Sequence, residues 1–133
     1  MTAFLDTDVL VYAFDRSDDR KRRLAIEVIE RAPFVVSAQV LGEFYVTVTR
    51  KLAVPLPADD AARAVGRLSA LAVVPTDAAL VAAAVETVRA HQVSYWDALI
   101  IEAAAVAGCD VLLSEDLADG SVMRGVRIEN PFV

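Results

Sequence analysis

Asp6 and Asp8 stand two residues apart, directly after the short apolar run Ala3-Phe4-Leu5 and just before a second apolar segment, Val9 to Phe14. Ser114, Glu115 and Asp116 close another apolar run in the same way, Asp97 stands three residues after Ser94 at the head of an apolar helical pattern, and Glu43 lies within a helix beside Gly42. An acid placed where a buried strand gives way to a helix faces the crevice beyond the strand's carboxyl end, where α/β sheets bind ligands. Several carboxylates in one crevice repel one another unless they are protonated or bridged by a metal. The chain has one histidine, His91, and one cysteine, Cys109, so no nitrogen or sulfur ligand cluster competes. Hard oxygen donors suit Mg²⁺, with Mn²⁺ as a substitute, and disfavour Zn²⁺.

Each of these residues also has a plainer reading. Asp6, Thr7 or Asp8 can serve only to cap the helix that follows, and Ser94 with Asp97 has the spacing of a capping box. Glu43 falls to the side of the inward stripe Leu41, Phe44, Tyr45 and Val48, which reads as a surface glutamate. Gly42, costly in mid-helix, suggests the close approach of another segment or a ligand. Tyr95 and Trp96 read as core residues in preference to a platform for an unpaired base. The basic cluster Arg16, Arg20, Lys21, Arg22 and Arg23 reads as a solvated helix face, His91 as a C-terminal helix residue, and Cys109 as a small buried hydrophobe.

These residues need a scaffold of alternating elements. Unbroken apolar runs predict strands over residues 3–5, 34–36, 71–74 and 110–113, with a last one over 126–128 at a sheet edge. Helices are predicted over 9–14, 17–31, from Ser37 to about 51, 58–70, from Thr76 or Asp77 to about 91, and from Ser94 to 107, where Gly108 stops the last one. That order predicts a three-layer α/β/α domain with a mainly parallel central sheet and its acids converging at one edge.

The 133 residues are the usual size of one domain, so 1–133 is expected to be a single unit. An apolar content of 56% and a mean hydropathy of +0.47 are high for this length and suggest a sheet buried on both faces and a partner surface. The lone cysteine fits a reducing cytoplasm. No stretch reads as a signal peptide or is long enough to span a bilayer, so a cytoplasmic protein away from the membrane is expected. A net charge of −6 is the wrong sign for holding nucleic acid by electrostatics alone, yet two divalent cations in one site would leave only about −2.

The successive stretches Asp6-Thr7-Asp8-Val9-Leu10-Val11-Tyr12-Ala13, Glu43-Phe44, Tyr95-Trp96-Asp97-Ala98 and Leu113-Ser114-Glu115-Asp116-Leu117 resemble, in order and separation, the motifs of PIN-domain ribonucleases, specifically VapC-type toxins. The resemblance implies that Asp6, Glu43, Asp97 and Asp116 surround one or two Mg²⁺ ions and that Ser114 supplies a supporting hydroxyl. It implies hydrolysis of RNA phosphodiesters by metal-activated water, a homodimer, and a cognate antitoxin that covers the acidic crevice with a C-terminal segment. Asp8 stands where an asparagine is commoner in that family. It either adds a metal ligand or leaves one charge uncompensated. Asp6-x-Asp8 after a strand also resembles the opening of haloacid-dehalogenase-type phosphatases, which place a lysine late in the chain; here the lysines are Lys21 and Lys51. A non-enzymatic, Mg²⁺-binding interaction domain would want that late lysine too and would leave Glu43 unused.

Overall fold

The computed structural model describes residues 2–31 and 33–133. The chain runs β1 (Ala3–Leu5), α1 (Thr7–Tyr12), α2 (Asp19–Glu30), β2 (Phe34–Ser37), α3 (Ala38–Arg50), α4 (Ala58–Ser69), β3 (Ala72–Val74), α5 (Ala78–Ala90), α6 (Tyr95–Val106), β4 (Val111–Leu113), β5 (Val122–Met123) and β6 (Val126–Glu129). The predicted caps hold: Ser37, Asp77 and Ser94 each accept a hydrogen bond from the backbone N–H three residues on, and Asp18 does the same for α2.

One sheet has the order β3-β2-β1-β4-β6-β5, parallel except for β5. Parallel strands linked through helices cross over right-handedly. The steps β1 to β2 and β2 to β3 travel one way, which puts α1 to α4 on one face; the step from β3 back to β4 travels the other way and puts α5 and α6 on the opposite face. The chain therefore reverses direction between β1 and β4, and it is outside such a reversal that α/β sheets open a crevice.

The core lies on both faces of the sheet, with Phe4, Leu5, Val36 and Leu112 in the strands, Val9, Leu10, Val40, Phe44 and Val48 on one side, and Leu99 and Ile101 on the other, all essentially without exposure. Cys109 is buried, as expected.

Several expectations are corrected. The first helix starts at Thr7 and not Val9, because Asp6 is already its N-cap. The strand after α4 is half exposed, since β3 is an edge. The final strand is not an edge: β5 pairs outside it through a tight turn whose two residues, Arg124 and Gly125, both take positive φ, at 54° and 77°, the geometry of a type I′ hairpin. Tyr45 is 38% exposed and so is not part of the inward stripe. A Cβ added at Gly42 would meet nothing within 4 Å, so no close approach explains that glycine.

Candidate active site

Register brings the two acidic strand ends together. Leu5 is opposite Leu113, so the next residues, Asp6 and Ser114, leave the sheet side by side, and the Ser114 hydroxyl donates to Asp6 Oδ2 at 2.8 Å. The hydroxyl oxygen in turn accepts from the N–H groups of Asp116 (3.3 Å) and Leu117 (3.4 Å), which commits its proton to Asp6. Asp6 Oδ1 accepts from the Thr7 N–H at 2.7 Å. Asp6 thus caps α1 and lines the cleft at once, so its capping role leaves it free to belong to the site.

Asp8 crosses to the same turn, where Oδ2 accepts from the Glu115 N–H at 3.0 Å. Its other oxygen, Oδ1, is buried and has no partner among the described residues. Glu43 enters from α3 and accepts from the Thr7 hydroxyl at 3.2 Å. Asp97 sits in the first turn of α6, whose N-terminus opens at the carboxyl edge of the sheet. One open cleft of about 400 Å³ is lined by Asp6, Thr7, Asp8, Glu43, Asp97 and Asp116. Side chains up to 110 residues apart in sequence share one hollow, and Ser114 lies buried beneath it.

The charges feel one another. Burial pushes the Asp6 carboxyl up to about 6, partly offset by the Ser114 hydroxyl and the Thr7 N–H and reinforced by Glu43 and Asp116. Asp8 is pushed up to about 7, first by burial and then by the Asp6 charge, against the Glu115 N–H that favours its anion. The donor set is all oxygen, the Asp8 oxygen is orphaned, and burial, reinforced by neighbouring acids, raises the Asp6 and Asp8 carboxyls; these features fit a hard divalent ion. They do not form a ready-made cage: among the described residues no group of three or more His, Cys, Asp or Glu side chains is drawn together closely enough to hold an ion as it stands.

Further residues line the cleft that sequence reading did not assign to it: Tyr12, Asp15, Gln39, Thr47, Trp96 and Glu115. A signal for two of them exists, since Gln39, Glu43 and Thr47 recur at four-residue spacing and so share one face of α3. Trp96, expected in the core, is 63% exposed at the cleft mouth. Glu115 is held below the usual carboxylate range: burial opposes this, but Lys21 Nζ bonds it closely and the Tyr12 hydroxyl donates to it at 2.7 Å. Lys21, one member of the basic cluster read as a solvated face, therefore anchors the cleft rim through Glu115, and Arg20 is bonded to the Phe132 carbonyl at 2.6 Å.

The sequence matches the PIN domain over residues 3–118. This chain belongs to the PIN-domain family. Its fold is shared with VapC20 of Mycobacterium tuberculosis, a toxin that cleaves the sarcin-ricin loop, at 21% identity and a TM-score of 0.67 over 83% of this chain and 86% of that one. A toxin–antitoxin complex from Klebsiella pneumoniae aligns at 21% identity and a TM-score of 0.71, covering 93% and 94% of the two chains. DNA-bound VapBC from Salmonella typhimurium aligns at 21% identity and a TM-score of 0.65 over 98% of each chain. No curated protein sequence matches. The match to the PIN family spans all four acidic stretches singled out above and ends just beyond Asp116.

Proposed function

We propose that this PIN domain is a Mg²⁺-dependent endoribonuclease and the toxin of a type II toxin–antitoxin pair. The observation that carries the reading is the convergence of Asp6, Glu43, Asp97 and Asp116 on one cleft at the topological reversal of the sheet. Asp6 and Asp97 would hold the ion, with Glu43 and Asp116 completing its shell and Asp8 adding an oxygen. A divalent ion there supplies positive charge to the reacting phosphate and acidity to water.

The protein's own groups do the rest. Ser114 and the Thr7 N–H fix the Asp6 carboxylate and favour its charged form. Thr7 orients Glu43, and Glu43 or Asp116 accepts the proton of the attacking water. No covalent enzyme intermediate is required. A phosphatase of the dehalogenase type is disfavoured, because Lys51 does not line the cleft and Lys21 is bound to Glu115.

The partners proposed are RNA, a second copy of this chain, and a cognate antitoxin. An apolar groove lined by Leu10, Phe14, Ile26, Ile29 and Leu68 shares helix α1 with the cleft, where Val11 and Tyr12 lie, and supports an antitoxin whose C-terminal segment would reach the acids. The Klebsiella and Salmonella neighbours, which are toxin–antitoxin assemblies, support that reading.

Purified protein freed of any partner is expected to cut RNA in Mg²⁺ and to stop in EDTA. Asp6→Asn or Asp97→Asn should lower the rate by at least about 100-fold while the fold persists. Cleavage that continues in EDTA would falsify the metal mechanism, and phosphate release from small phosphoesters would revive the phosphatase reading.

A further inference from the structure

Trp96 is the one tryptophan of the chain, and it stands 63% exposed at the mouth of the cleft beside Asp97. A large aromatic side chain is normally among the best buried, so an indole kept in water beside a candidate active site calls for an occupant. We propose that Trp96 binds RNA by stacking on an unpaired base next to the phosphodiester to be cleaved; this rests on the ribonuclease reading.

The indole is held in place while its surface stays open. It rides on the first turn of α6, which Ser94 caps. It meets the Tyr95 ring edge to face at 4.9 Å between centroids, and Tyr95 itself packs on the core. The Gln39 amide donates to the Trp96 carbonyl at 3.4 Å and so ties α3 to α6 at this point. The other aromatic residue lining the cleft, Tyr12, is already engaged: its hydroxyl binds Glu115, its ring meets Phe132 at 4.9 Å, and Lys21 lies over it. Among the described residues lining the cleft, Trp96 is the aromatic surface left for a ligand.

Charge explains why a stacking grip is needed. The cleft presents Asp6, Asp8, Asp15, Glu43, Asp97, Glu115 and Asp116, and the whole chain carries −6. Lysine and arginine contacts, the usual source of affinity for a polyanion, are therefore scarce where the strand must lie. Every base offers a π-face, so stacking supplies affinity without positive charge and without reading sequence. It also demands an unpaired base, which makes Trp96 a selector for loops and single strands.

Because the chain has a single tryptophan, its emission reports the contact directly. Wild-type protein titrated in Mg²⁺ with a phosphorothioate-linked single-stranded oligoribonucleotide should show saturable quenching, and the duplex of the same sequence should show little. Trp96→Ala should raise KM for single-stranded RNA by about 5- to 150-fold, more than it lowers kcat, and Trp96→Phe should restore most of the loss. The ratio of mutant to wild-type KM should stay constant as salt rises, since stacking releases no counterions. An unchanged KM in Trp96→Ala, or equal quenching by the duplex, would overturn the stacking proposal and leave the ribonuclease reading intact. Quenching by the co-expressed antitoxin but not by RNA would assign Trp96 to a protein interface and likewise overturn it. Wild-type protein that neither binds nor cleaves RNA would remove both.

Discussion

Burial raises the Asp8 carboxyl further than that of its neighbour Asp6. Two outcomes were open from the sequence, an added metal ligand or an uncompensated charge, and the surroundings of Asp8 bear on both: Oδ1 has no partner among the described residues and the carboxyl is pushed up to about 7. A carboxyl whose pKa is higher in the folded chain than in the unfolded one favours folding fully below its unfolded value of 3.8, and that contribution is lost as pH rises through about 7. Asp8→Asn removes the ionisation while keeping the shape. It should therefore raise the unfolding midpoint of metal-free protein at pH 8 by the equivalent of about 1 kcal/mol or more, with the gain vanishing near pH 4; thermal unfolding across that pH range checks it. Ser114→Ala acts in the opposite sense on its neighbour. The hydroxyl lowers the Asp6 pKa, so its loss should move the acidic limb of the rate profile to higher pH. Glu43 shows why some of this was hidden: it is exposed and off the apolar stripe, so hydrophobic pattern alone cannot separate it from an ordinary surface acid.

The elements were more legible than the contacts between them. The caps at Ser37, Asp77 and Ser94 and the strand positions followed from local chemistry, because a cap and an apolar run are properties of a few neighbouring residues. The edge strand β5 was not legible: two residues carry too little pattern, and its turn depends on Arg124 taking a left-handed conformation. Nor was the role of Arg124, which bonds the buried Glu102 of α6 at 3.0 Å while Thr87 of α5 donates to the same carboxylate at 2.9 Å. Glu102 is 4% exposed, so the two partners are not equivalent. Arg124→Met leaves a buried carboxylate with one neutral donor and should cost about 1–3 kcal/mol. Glu102→Gln leaves a partly exposed guanidinium that water can solvate and should cost less. Chemical denaturation of the two variants tests that order. Ser94→Ala, which uncaps the helix carrying Asp97, should cost about 1 kcal/mol and Ser94→Asp much less.

At the scale of the whole molecule, strand order does what no local motif can. Because the chain reverses between β1 and β4, the acids that end those strands meet, and the start of α6 and one face of α3 close over them. The acids and their mutual repulsion were legible in the sequence as a set; the orphaned Asp8 oxygen and the exposure of Trp96 depend on the packed fold and were not. The same crowding sets the most direct test of the account, which is the binding of Mg²⁺ or Mn²⁺ to partner-free protein, followed by calorimetry and by the unfolding midpoint. Wild-type protein should bind the ion and gain about 1.4 kcal/mol of stability when the ion is present at roughly tenfold its dissociation constant, by mass action. Asp6→Asn and Asp97→Asn should each lose most of that gain. Wild-type protein that takes up no divalent ion, or variants that bind it as tightly as the wild type, would contradict the claim that these distant carboxylates form one cation site.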